Sequence, residues 1–268
     1  MIPIRDTNPT SRRAWVTLGI IAANLAVFLL WQPTFGSQIR QQAFFFCRAE
    51  IPWEVSHQTN LAQGGETARL AIEQDFGPQS GVALQRFLQD RCPNKSWWQS
   101  IFVAMFLHAS WLHIGGNMLF LWVFGNNVED RLGWILYPVF YLLGGLAATG
   151  LQLAFASSSA VPNLGASGAI AAVLGAYFVM FPRARVYTLV IFFFITAVEL
   201  PAVVVLGAWF VLQLFSGVGS LGTEVNGGVA YWAHVGGFAF GMAVAWLFFR
   251  GRGERQRLRR VPPRPDYF

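Results

Sequence analysis

Residues 163–183 read NLGASGAIAAVLGAYFVMFPR, and from Ser167 to Phe181 this run carries no charge. At 1.5 Å per helical residue it reaches only about 22 Å, short of a hydrocarbon core of about 30 Å. A short span of this kind requires the preceding loop, residues 157–166, to dip into the apolar layer. Irregular backbone is tolerated there only where it lines a hydrated cavity enclosed by protein.

The rest of the chain is equally apolar. Of its 268 residues, 54% are hydrophobic and 12% charged, and the mean hydropathy is +0.45, which places it in the membrane class. Apolar runs cover residues 14–31, 111–126, 134–156, 167–181, 200–215 and 234–249. Their lengths predict six transmembrane helices, an all-α membrane protein in the form of a six-helix bundle. Arg12 and Arg13 before the first run imitate a signal peptide, but no small-residue cleavage site follows.

Net charge of +6 and a pI near 9.9 would suggest nucleic acid in a soluble protein. Here the basic residues follow topology instead. Arg5, Arg12 and Arg13 precede span one, Arg131 follows span two, Arg183 and Arg185 follow span four, and seven arginines follow span six. With an even number of spans these segments share one side, which the positive-inside rule assigns to the cytoplasm, together with both termini. The predicted organisation is a cytoplasmic N-terminus and first helix (1–31), a long external loop forming a partly helical cap (32–100), a core (101–250) and a basic cytoplasmic tail (251–268). Leu84, Phe87 and Leu88 fit one helical face within the cap. Cys47 and Cys92 also lie there, where an oxidising compartment permits a disulfide.

Strongly polar side chains inside spans cost several kcal/mol unless partnered or hydrated. His108, His113 and Asn117 lie at and inside the start of span two, Ser167 opens span four, and His234 opens span six. All three spans run from outside to inside. Counted from their cytoplasmic ends at 1.5 Å per residue, Ser167 and His234 both lie about 24 Å up and His113 about 20 Å. Three helices therefore lift polar groups to one submerged height.

A serine in the first turn of a helix sits at the positive end of the helix dipole, among N–H groups with no intrahelical acceptor. Such a position supplies both a nucleophile and an oxyanion donor, with His234 at the same depth as its general base. His113 and Asn117, spaced i, i+4, share a helix face and can hold a developing oxyanion. No carboxylate is at hand for a triad: Glu129, Asp130 and Glu199 belong to the cytoplasmic side and Glu224 to an external loop. Gly168 with Ala172, and Gly237 with Gly241, give the small-residue spacing that lets spans four and six approach closely.

His108-x-x-x-x-His113-x-x-x-Asn117, Gly165-Ala-Ser167-Gly168 and Ala233-His234-x-Gly236-Gly237-x-x-x-Gly241 resemble the three motifs of the rhomboid intramembrane serine proteases, in order and on the matching spans. The resemblance covers roughly residues 98–250. It implies a Ser167–His234 dyad, oxyanion donors in His113, Asn117 and the Ser167 N–H, a cavity role for His108, and span five or the overlying loop as a lateral gate. The implied partners are transmembrane protein substrates and the lipid bilayer, with no nucleic acid, metal or cofactor. Two positions depart from the pattern. Trp97-Trp98-Gln99 stands where many relatives carry Trp-Arg, and Ala171 stands where some carry an aromatic residue against the histidine. An inactive membrane-protein binder and a small transporter are the competing readings. With no evident transit segment, the expected location is a bacterial cytoplasmic membrane.

Overall fold

The computed structural model describes residues 1–191, 195–220 and 230–249. The arginine tail and Glu224 lie outside the described residues. A short strand, β1 (Ile2–Asp6), leads into α1 (Trp15–Ala26), which continues as a π-helical turn over Val27–Trp31. Ala14 offers no side chain to cap α1. The Glu129 carboxylate does so from outside, accepting from the N–H groups of Val16 and Thr17 at 3.0 and 2.7 Å and from the Thr17 hydroxyl at 2.7 Å.

Residues 32–100 hold α2 (Gln38–Arg48), α3 (Pro52–His57), α4 (Gly65–Phe76) and α5 (Ser80–Arg91), and lead into α6 (Trp97–Ala104). They build a second apolar core separate from that of the spans, around Ile51, Trp53, Leu61, Ala68, Ile72 and Leu88. Leu84 and Phe87 on α5 pack against it. Cys47 and Cys92 are joined by a disulfide with their Cα atoms 5.6 Å apart, tying the end of α2 to the end of α5. Lys95 Nζ lies 2.7 Å from a Glu54 carboxylate oxygen, both side chains being buried.

The principal core is helical. The long helix α7 (Trp111–Ala156) is two helices joined at Gly133, whose φ of +83° a residue with a Cβ rarely adopts. It is followed by α8 (Ser167–Met180), α9 (Ala202–Gly219) and α10 (Tyr231–Phe249). Among the described residues, α7, α9 and α10 are long and apolar enough to cross a membrane, and residues 15–31 and 167–180 form shorter apolar helices. α8 lies at the centre, with Ala169 to Tyr177 all buried.

Two expectations are corrected here. The fold is mostly helical but not all-α: Arg185–Ile191 (β2) and Ile195–Pro201 (β3) pair antiparallel, and β1 adds to the other edge of β2. Alternation in Val186-Tyr187-Thr188, with Val186 and Thr188 buried, drives this segment into a strand. β3 takes in Leu200 and Pro201, the expected first two residues of span five, so α9 begins at Ala202 rather than at Leu200. The sheet is anchored to the helices by Asp6, whose carboxylate accepts from Asn127 on α7 at 2.7 Å and from the Tyr177 hydroxyl on α8 at 2.6 Å.

Candidate active site

Ser167 is the first residue of α8, and the preceding Ala166 makes no side-chain cap. Its Oγ lies 2.7 Å from Nε2 of His234, 67 residues further along the chain. The approach depends on glycine. A Cβ on Gly237 would run into the main-chain carbonyl of Gly168, one on Gly241 into the carbonyl of Ala172, and one on Gly175 into the carbonyl of Phe238. α8 and α10 are therefore in backbone contact at three points over about two turns, and Ser167 and His234 sit at one end of that seam. The start of α10 is further held by Gln152 of α7, which accepts from the Ala233 N–H at 3.2 Å.

His113 stands beside Ser167. Gly165 has φ +130°, and a Cβ built on it would lie 2.8 Å from Nε2 of His113 and 3.5 Å from Oγ of Ser167. The imidazole and the hydroxyl thus flank the bare face of Gly165. Ser110 caps α7 by accepting from the His113 N–H at 3.1 Å, and the Ala109 N–H donates to Nδ1 of His113 at 3.3 Å. That bond leaves Nε2 to carry the proton, so the edge facing Gly165 is a donor. Asn117 lies one turn further along α7, buried, with no hydrogen-bond partner for its Nδ2 among the described residues. His108 is fully buried and meets His113 edge to face at 5.0 Å between centroids. Its main chain is clamped by Gln32, which donates to the His108 carbonyl at 2.6 Å and accepts from its N–H at 3.1 Å.

Sequence reasoning overlooked two contributors on α9. Gln213 Oε1 lies 2.8 Å from Nδ1 of His234. Trp209, one turn earlier, places its ring 5.8 Å from the imidazole, centroid to centroid. An aromatic side chain does accompany the histidine, but it comes from α9 instead of position 171. The signal for Gln213 was present: a lone glutamine in an apolar span is as conspicuous as the histidines.

The loop before Ser167 is also held in ways its sequence does not announce. The Asn163 N–H donates to the Glu50 carbonyl at 2.7 Å, and Trp53 N–H donates to the Ser159 carbonyl at 2.9 Å. Asp75 accepts from both the Ser159 hydroxyl and the Ala160 N–H, and Gly165 N–H donates to the Ala104 carbonyl at 2.9 Å. The segment that presents the serine is thus bonded to Glu50, Trp53 and Asp75 of the second core's helical unit. Burial pushes the Glu50 carboxyl there up to about 7, partly opposed by Asn163 and by the Lys95 charge. Among the described residues no group of His, Cys, Asp and Glu side chains could hold a metal ion.

A serine hydroxyl on a histidine nitrogen, at a helix N-terminus and beside an imidazole donor, is an arrangement suited to acyl transfer. The comparisons with known proteins show the family. The family model described as a rhomboid domain matches residues 94–251, and the chain belongs to the rhomboid family. It is 30% identical over 174 residues to Rhomboid protein 1, mitochondrial, of Saccharomyces cerevisiae, covering 63% of this chain and 47% of that protein. It is 27% identical over 172 residues to RHOMBOID-like protein 6, mitochondrial, of Arabidopsis thaliana, covering 62% and 52% respectively. Rhomboid-type serine protease 2 of Emericella nidulans is 31% identical over 88 residues, 33% of this chain and 17% of that protein. The chain spans about half the length of the yeast and Arabidopsis relatives. Apolar helices and family together make it an integral membrane protein. The mitochondrial names of these relatives give no support to the expected bacterial cytoplasmic membrane.

Proposed function

We propose that this chain is an intramembrane serine endopeptidase that hydrolyses peptide bonds in or near transmembrane segments of membrane proteins. The observation that carries the reading is the 2.7 Å contact between Ser167 Oγ and His234 Nε2. His234 accepts the hydroxyl proton as Oγ attacks the scissile carbonyl, and returns it to the leaving amine. The oxyanion that forms is held by the Ser167 N–H, by His113 and by Asn117. His108 lines the cavity behind them.

The topology that goes with this function has six spans with both termini cytoplasmic. Residues 1–31 comprise the N-terminus and first helix, 32–100 an external cap, 101–250 the catalytic core, and 251–268 a basic tail. The break at Gly133 supports counting α7 as two spans. The disulfide and the separate apolar core support reading 32–100 as an external unit. Fractionation of the source cells decides which membrane holds it.

The test is cleavage of a model single-span protein by purified full chain in liposomes, beside Ser167→Ala. Cleavage by the wild type with none by the variant, and fluorophosphonate labelling that depends on Ser167, are the expected results. Equal cleavage by both proteins would overturn the reading.

A further inference from the structure

Neutral imidazole has two tautomers, and only one serves Ser167. With the proton on Nδ1, the Nε2 lone pair faces the hydroxyl and can accept its proton. With the proton on Nε2, the ring donates to the hydroxyl and cannot act as a base. Serine hydrolases commonly select the productive form with a carboxylate on Nδ1, but among the described residues no carboxylate is placed to do so. Glu129 is engaged at the α1 N-terminus, Asp130 with Ser11, Asp6 with Asn127 and Tyr177, and Glu199 lies in β3.

We propose that Gln213 is the positioning residue that fixes the His234 tautomer, its Oε1 accepting the Nδ1–H across 2.8 Å. The assignment rests on the peptidase reading above and extends it to α9. As Oγ bonds to the substrate carbonyl carbon, its proton passes to Nε2, and the imidazolium that results shares its charge with the Gln213 oxygen. A neutral amide does this more weakly than a carboxylate, but it needs no buried anion. In a span that distinction matters, because an ionised carboxylate there costs several kcal/mol.

The second half of the observation is where Gln213 comes from. Of the eighteen residues of α9, only Ala202, Val205, Leu206 and Gly217 are buried, and eight are exposed. Trp209 and Gln213, spaced i, i+4, both reach His234 from one face of it. The base is therefore held in its working form only while α9 is seated against α10. A helix with so little buried area is the element most easily displaced by an incoming segment.

Among the described residues the ionisable groups around the imidazole are few. His113 faces it from α7, with His108 behind. α9 carries no ionisable side chain, Tyr177 on α8 is ten residues beyond Ser167, and α10 contributes Tyr231 one turn before the histidine.

The test uses purified full-length wild type, Gln213→Leu and Gln213→Glu, with Ser167→Ala as the blank, on a single-span substrate in liposomes. Gln213→Leu removes the acceptor and leaves an apolar side chain of similar size. It is expected to lower kcat about tenfold or more, the cost of one lost hydrogen bond in the transition state, with KM within about twofold. Gln213→Glu keeps an acceptor within reach. It is expected to recover most of that loss and to move the acid limb of the pH–rate profile upward by about one unit, because a carboxylate stabilises the imidazolium. If Gln213→Leu fails to fold by thermal unfolding, the shifted limb of Gln213→Glu supports the assignment and an unshifted limb overturns it. Wild-type kcat and an unchanged pH profile in folded Gln213→Leu overturn it as well, with the peptidase reading intact. Absence of Ser167-dependent turnover in the wild type sinks both.

Discussion

Gly237 on α10 rests its Cα against the main-chain carbonyl of Gly168 on α8, closely enough that a Cβ has no space. Because the obstacle is backbone, it cannot swing aside as a flexible side chain would. The distance between these helices sets the distance between Ser167 and His234, which lie beside the two glycines.

Widening that seam separates the dyad. Gly237→Val is expected to lower stability by about 1–3 kcal/mol through overpacking, and to reduce Ser167 labelling and proteolysis far more than this loss explains. Thermal unfolding and fluorophosphonate labelling on the same preparation measure the two effects. A stable variant with unimpaired labelling would show that the seam does not position the dyad.

Ser167→Ala and His234→Ala should each abolish cleavage with little change in unfolding temperature, and the double variant should be no worse than either, because nucleophile and base act as one unit. Activity should also fall on acidification, since His234 must be neutral to accept the hydroxyl proton. Additive losses in the double variant would argue for independent roles.

His113→Ala and Asn117→Ala are each expected to reduce turnover by about 10²–10³-fold, the usual cost of one oxyanion donor. Gly165→Ala should be as damaging, although it removes no functional group. Its φ of +130° disfavours a side chain, and its Cβ would occupy the space between His113 and Ser167. Turnover measured with folded protein decides, and wild-type rates in all three variants would exclude an oxyanion site at this place.

The cap carries a pH dependence of its own. Glu50 is held in the folded protein at about 7, above its ordinary 4.5, chiefly by burial. Between those values the folded chain keeps a proton that the unfolded chain has released. Stability is therefore full below about 4.5 and declines as pH rises towards 7, by at most about 1.4 kcal/mol per pH unit. Glu50→Gln should flatten that decline in thermal unfolding of the full chain; an equally steep decline would assign it to another group. Lys95→Met, by contrast, leaves Glu54 buried without its cation and should cost about 3–5 kcal/mol at neutral pH.

The apolar runs, the break near Arg131 and the polar residues at the heads of α7, α8 and α10 were legible in the sequence, because each depends on neighbours within a few residues. Hydrophobic length marks a helix, and a histidine or serine in such a run stands out locally. Strand β2 was not legible: its apolar residues satisfy a span and a buried strand equally, and only pairing with β1 and β3 chooses between them. The cap's core and the pairing of Cys47 with Cys92 likewise required four helices to fold together.

The sequence by itself singled out the candidates for the chemistry, Ser167, His234, His113 and Asn117. Tertiary structure alone decided what holds them. The partner of Nδ1 on His234 is 21 residues earlier, on α9. The carbonyl that fixes Asn163 is that of Glu50, in the cap. A side chain's chemical capacity is written in its identity, whereas its partner is chosen by packing between helices that local sequence leaves free to move.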